Sequence, residues 1–437
     1  MPLHLRQPPA TFMLLASLFL ACSPAHATAA NPALDTGDTA WMMTSTLLVI
    51  MMSLPGLALF YGGLARSKNM VSVLMQVFVL FALSTFLWAL YGYSLAFKGD
   101  GVLFGNFSLA FLKGVTPETM SGTLQTVPEY VFIAFQAAFA AITMALTVGS
   151  FAERIRFAAV IVFALIWFTF CYVPVAHMIW GGGLLAKDGA LDFAGGTVIH
   201  INAGTAGLVG AYLVGKRTGL GRESFAPHSL TLTMVGACLL WVGWFGFNAG
   251  SAGAANGIAG LAFMNTILAS SAAVIGWLIA ETFIKGKASL LGAVSGSIAG
   301  LVGVTPAAGF VGPMGAIVIG MLSGLLCVWG VSGLKRLLGA DDAFDVFGIH
   351  GLGGIVGAVL TGVFVSPALG GVGLENYSMG TQVWVQIKGV LLTMLWSAAV
   401  AALGFLVAKA TVGLRVSTDA EREGLDLTSH GESAYHH

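Results

Sequence analysis

His200 and His350 stand in two separate apolar stretches, 150 positions apart, in a 437-residue chain whose hydrophobic runs hold few other ionisable groups. An ionisable side chain at membrane depth is costly, and one that is kept there usually faces a pathway or a partner. Each neutral imidazole offers one donor and one acceptor, so two facing rings can share a proton and still present polar atoms to a small passing molecule. Either histidine alone could instead serve as an interhelical hydrogen-bonding group. Their matched placement is what points to shared chemistry.

Other residues extend the pair. Asp192 lies eight residues before His200, about 12 Å along a helix. Its carboxylate suits a helix N-cap, and it could also hold negative potential near the histidine. Phe135 and Phe139 are four apart, while Trp244, Phe247 and Ser251 recur at three and four, so one helix face carries an indole, a ring and a hydroxyl in a row. Ring faces attract small cations and a hydroxyl can accept an N–H bond. Trp180 closes an apolar run, where an aromatic belt is the plain alternative. Ser251 could equally bond back to the carbonyl of Phe247. His177, near Trp180, reads as an interfacial histidine. Together the set suits a solute that arrives as a small cation and travels an apolar path in a form that histidines can hydrogen-bond. A bare alkali ion would want rings of carbonyl or carboxylate oxygens, and no such filter motif is present.

These residues must be held by membrane-spanning helices. The composition is 57% hydrophobic and 9% charged, with a mean hydropathy of +0.89, which excludes an ordinary soluble protein. Net charge is zero and no basic block suggests nucleic acid. Cys22, Cys171, Cys238 and Cys327 form neither a disulfide framework nor a CxxC metal motif, and no cofactor motif appears. Fifty-nine glycines suit closely packed helices. Residues 1–27 read as a signal peptide: Arg6, an apolar run from Phe12 to Ala21, and Ala25-His26-Ala27 as the cleavage pattern. That run is too short to span about 30 Å of hydrocarbon.

Eleven spans follow, near 41–61, 70–96, 127–149, 157–179, 195–214, 228–250, 257–283, 289–305, 311–333, 346–366 and 383–411. One set of alternate loops holds eleven lysines and arginines (Arg66, Lys68, Arg154, Arg156, Lys216, Arg217, Arg222, Lys285, Lys287, Lys335 and Arg336). The other holds only Lys98, Lys113 and Lys187. The positive-inside rule then puts the first set in the cytoplasm, the mature N-terminus outside and the C-terminus inside. Spans one to five and six to ten can form two inverted halves, with His200 and His350 at the same place in each and a site between them, plus one extra helix. The fold expected is an all-α membrane protein with a central pore. Residues 28–412 form the transmembrane domain and 413–437 a polar tail whose composition suits a solvated end.

Several stretches resemble one family. Asp192-Phe193-Ala194-Gly195-Gly196-Thr197-Val198-Ile199-His200-Ile201-Asn202 looks like the signature of the ammonium transporter (Amt/Mep/Rh) family. So do Phe60-Tyr61-Gly62-Gly63-Leu64, the run from Ala152 to Arg156, the run from Gly243 to Ser251, and the run from Asp345 to Gly351. The likeness runs from about residue 38 to the C-terminus and is nearest the bacterial Amt branch. It implies an outer ammonium site of Trp180, Phe139, Phe247 and Ser251, with Asp192 nearby and Phe139 and Phe247 stacked as a gate above the twin histidines. It also implies an inner pore end lined by Phe60, Tyr61 and Val346.

The resemblance carries further expectations: a homotrimer with one pore per subunit in the bacterial inner membrane, and a tail docked on the cytoplasmic face. There Glu421 to Asp426 and His430-Gly431-Glu432 resemble tails that work with a PII-type nitrogen regulatory protein. Ammonium would bind at the mouth, lose its proton at the gate and pass as ammonia. The alternative is an ammonium sensor acting through such a partner.

Overall fold

The computed structural model describes residues 33–435; the expected signal peptide at 1–27 and Cys22 lie outside them. Eleven apolar helices cross one another in the order α1 Thr36–Leu64, α2 Ser67–Phe97, α3 Glu129–Phe151, α4 Phe157–Lys187, α5 Gly196–Val214, α6 Leu230–Gly250, α7 Gly257–Lys285, α8 Leu290–Val304, α9 Pro313–Leu338, α10 Phe347–Phe364 and α11 Met379–Thr411. Among the described residues there are isolated β-bridges but no strands.

Local chemistry sets the starts of these rods. Asp35, Ser229, Asn256 and Ser289 precede α1, α6, α7 and α8, and their side chains accept first-turn N–H groups. Such a cap is worth about 1 kcal/mol. Among the described residues ten helices are long and apolar enough to cross a membrane; α8 has only 15 residues, two fewer than the span expected there. At 1.5 Å per residue it covers about 22 Å. The chain continues irregularly, and it does so inside protein: Ala307, Ala308 and Val311 are fully buried. Asn265 on α7 donates to the carbonyls of Ala308 and Val311, both at 2.8 Å. Irregular backbone at this depth survives only where protein supplies such donors.

The two five-helix halves, α1–α5 and α6–α10, meet along α5 and α10, with α11 outside them. A Cβ on Gly204 of α5 would lie 2.6 Å from the backbone N of Gly351, so the crossing needs glycine there. The loop before α5 is pinned by α11, where Gln386 donates to the carbonyls of Leu191 and Ala358 and accepts from the N–H of Leu191. Cys171 and Cys327 are buried free thiols and Cys238 is exposed and free.

The arginine-rich loops gather at one end around a buried charge network. Arg217 binds Asp341 through both oxygens and Glu153 at 3.0 Å, and Glu153 also accepts from Asn69 and Arg66. Burial alone would raise the Asp341 carboxyl, but the Arg217 hydrogen bonds and the charges of Arg154 and Arg217 outweigh it and hold it at about 2. The polar tail packs on this end rather than leaving it. Asp426 accepts from the N–H groups of Val71 and Ser72 at the start of α2, Leu425 donates to Asn69, and Glu421 accepts from Thr218 and Arg415.

Candidate functional site: twin histidines beneath an aromatic mouth

Asp192 organises the start of α5. Its Oδ1 accepts from Gly195 and Gly196 at 2.9 and 2.7 Å, and its Oδ2 from Thr197 and Val198, both at 2.9 Å. These are donors that no intrahelical carbonyl reaches. Gly195, at φ 108°, makes the turn that folds them onto one carboxylate. Burial pushes this carboxyl up to about 6 against those donors, so at neutral pH the carboxylate is what faces them. The N-cap reading therefore describes what Asp192 touches, and any pull on a cation acts through space.

His200 follows on a π-helical turn, Gly196–Ile201, and His350 on a second one, Phe347–Gly351. In the second half Asp342 plays the corresponding part, its Oδ2 accepting from the Phe347 N–H at 2.8 Å. Each histidine thus lies eight residues beyond a carboxylate that caps its turn. Single π-turns widen the helix by one residue and recur at functional sites. The two Nδ1 atoms are 3.2 Å apart. Only one of them can carry the proton between them, so one ring keeps an N–H at Nε2 and the other a bare acceptor. His200 Nε2 is buried and has no hydrogen-bond partner among the described residues.

Around the pair the walls are apolar. A cavity of about 10 Å³ is bordered by Leu57, Phe60, Leu146 and Leu240 with both imidazoles, roughly the room one water needs. Trp244 stacks on His200, centroids 5.4 Å apart, and donates its indole N–H to Thr305 at 2.9 Å.

Phe139 and Phe247 form a stacked pair, centroids 4.3 Å apart and planes 6° apart, with the Phe247 ring 5.9 Å from that of His200. Beyond them opens a mouth of about 160 Å³ that includes Phe135, Gln136, Trp180 and Ser251. The Trp180 ring stands edge-on to Phe139 at 6.1 Å, and Phe135 lies 4.6 Å from Phe139. Ser251 donates to the carbonyl of Phe247 at 2.8 Å. The back-bond weighed from the sequence is present, and it has a consequence: the hydroxyl proton is used, leaving oxygen lone pairs for the mouth.

At the opposite end Phe60 borders both the histidine cavity and a chamber of about 400 Å³ among the charged loops. Tyr61 donates to the carbonyl of Leu146 at 3.0 Å. Tyr61 and Val346 both press on Gly149, where a Cβ would come within 2.7 Å of either. The structure places Trp180 and Ser251 at the mouth, the phenylalanine pair next to it, then the histidines and Phe60, whereas Tyr61 and Val346 border neither the histidine cavity nor the chamber and pack on Gly149 instead. Another expectation is corrected: His177 is fully buried, its ring nitrogens 3.0 and 2.8 Å from the carbonyls of Ala96 and Gly101, so it holds a loop rather than an interface. Gln136, Thr305 and Asp342 were missed. The eight-residue spacing from Asp342 to His350 was legible and repeats that from Asp192 to His200, whereas nothing in the sequence marks Thr305.

A multi-pass helical bundle enclosing a narrow apolar path with polar atoms at its middle defines a membrane protein for a small solute. The chain belongs to the ammonium transporter family, whose model matches residues 40–435. It is 48% identical to the ammonium transporter of Aquifex aeolicus (strain VF5) over 420 residues, 96% of this chain and 98% of that one. With the ammonium transporter of Bacillus subtilis (strain 168) it shares 45% over 403 residues, 91% and 98% of the two chains. Among solved structures, Candida albicans Mep2 superposes with a TM-score of 0.81 at 34% identity, covering 88% of this chain and 87% of Mep2. A protein described as a sensor Amt protein gives 0.83 at 27% identity, covering 90% and 98%.

Proposed function

We propose that this protein moves ammonium across the membrane by holding it at the mouth, stripping one proton, and passing ammonia along the histidines. The observation that carries the reading is the 3.2 Å contact between His200 and His350 behind the stacked Phe139 and Phe247 rings. In the mouth, the faces of Phe135, Phe139 and Trp180 attract a small cation and Ser251 accepts one of its N–H bonds. The stacked rings leave no passage for a hydrated ion, so the cation gives its proton to water in the mouth, forming hydronium there, and goes on as ammonia. Ammonia, with three donors and one acceptor, then matches a histidine pair that offers one bare acceptor and one N–H. Phe60 lines the way out.

The proposal includes the membrane setting: charged loops and docked tail in the cytoplasm, a signal peptide removed from residues 1–27, a homotrimer, and a PII-type nitrogen regulatory protein on the tail face. The lysine and arginine imbalance supports the orientation. Solid-supported membrane electrophysiology with ammonium, methylammonium and potassium pulses tests the core of the reading. An ammonium pulse is expected to give a current if the proton crosses separately, or an internal pH rise alone if it returns to water. A potassium current with neither ammonium response would overturn it. Sensing through a partner is a second reading, favoured by the likeness to the sensor Amt protein. Uptake that vanishes in cells lacking every PII-type protein would support it.

A further inference from the structure

The mouth asks more of its walls than Ser251 supplies. Ammonium has four N–H donors and, away from bulk water, each wants an acceptor or a ring face. Among the side chains that line the cavity, Thr123, Gln136 and Ser251 are polar apart from the Trp180 indole, and that N–H already donates to the Asp192 carbonyl at 2.8 Å. Ser251 is a single oxygen. Gln136 sits on α3 between Phe135 and Phe139 in register with Phe132, so the helix that supplies the ring faces also brings an amide to the cavity. Its residue is 8% exposed. Its Oε1 is buried with no hydrogen-bond partner among the described residues. An acceptor taken out of water and left unmatched costs free energy, and it is satisfied when a donor arrives.

We infer that Gln136 is a second hydrogen-bond acceptor for the cation in the mouth and sets the preference for ammonium over its N-methyl derivative. This rests on the ammonium reading above. The amide oxygen has no hydrogen bond among the described residues to give up when it accepts from the ligand. Methylammonium has one N–H fewer and a methyl group in its place. With an apolar residue at position 136 it can turn that methyl to the vacated acceptor, whereas ammonium must leave an N–H unmatched. A site that hydrogen-bonds a substrate group discriminates strongly against losing it, while apolar contacts discriminate weakly.

The test compares half-saturating ammonium and methylammonium concentrations for the full-length wild type, Gln136→Leu and Gln136→Glu in proteoliposomes, read as current by solid-supported membrane electrophysiology and as internal pH change with an entrapped dye. Gln136→Leu is expected to raise the ammonium value about tenfold and the methylammonium value by less than about threefold, narrowing the gap. Gln136→Glu keeps size and acceptors and is expected to lower the ammonium value. Equal shifts for both solutes, or none, in Gln136→Leu would overturn the inference. Should Gln136→Leu transport neither solute, Gln136→Glu decides: tighter ammonium supports Gln136 as acceptor and an unchanged value removes it. A wild type that ignores ammonium but passes potassium sinks the underlying function instead, so the two failures are distinct.

Discussion

Trp180 donates its indole N–H to the backbone carbonyl of Asp192 at 2.8 Å, while the Asp192 carboxylate gathers four N–H groups at the start of the His200 turn. One residue thereby holds the ring of the mouth and the backbone of the path in fixed relation.

Asp192→Ala should therefore damage both ends. It strands four buried donors, each worth roughly 1–3 kcal/mol when left unmet. The expected outcome is a lower unfolding temperature in detergent together with loss of ammonium-driven current. Asp192→Asn, which retains one acceptor oxygen, should fall between the two. Full current in the alanine variant would contradict this positioning role.

Replacing both histidines by leucine tests the path without emptying it. Leucine is close in volume to imidazole, so the unfolding temperature should change little, while the polar atoms at the narrowest point disappear. Ammonium current is expected to fall at least about tenfold, the loss of one hydrogen bond's worth of stabilisation. Retention of both rate and selectivity would refute the assignment of His200 and His350.

The buried network at the charged end predicts a pH dependence of stability. Asp341 is held at about 2 against an ordinary value of 3.8. Because its folded value is depressed, its contribution is present above about pH 4 and is lost as pH falls toward 2. Thermal unfolding followed from pH 6 to pH 2 should show that decline, and Asp341→Asn should remove part of it. The same variant should already be weaker at neutral pH by roughly 3 kcal/mol, since Arg217 loses its main counter-charge.

The tail acts as a distant cap for α2. Asp426 is 355 positions from Val71 and accepts from both Val71 and Ser72. Removing it as Asp426→Ala should cost that helix end about 1 kcal/mol. Hydrogen exchange at Val71 and Ser72 should speed up several-fold while the middle of α2 is unchanged. Equal exchange in the two proteins would show that the tail contact contributes nothing in solution.

Much of this architecture was open to reading from the chain. Apolar runs mark all eleven helices, ten of them long enough to cross hydrocarbon, and the family signature around His200 and His350 is carried by local order. Span eight, expected at 289–305, is Leu290–Val304 in the structure, one residue shorter at each end. The π-turns under the histidines leave no mark in the sequence, and the same turn recurs at Met52–Leu57 and Trp88–Gly92 on quite different residues. Gln136 passed unnoticed because a lone amide in an apolar run looks the same whether it is paired or not.

The sequence by itself determined the class and the helix count, which follow from composition and the lengths of its apolar runs, and its motifs carried the resemblance to the family. Only the tertiary structure decided that two Nδ1 atoms 150 positions apart come within 3.2 Å, that Phe139 and Phe247 stack 4.3 Å apart, and that Ser251 has already spent its proton. Those are relations between separate helices, set by how α5 and α10 cross at Gly204 and by how α3 and α6 meet. Close packing of that kind is a property of the assembled bundle, and no single segment contains it.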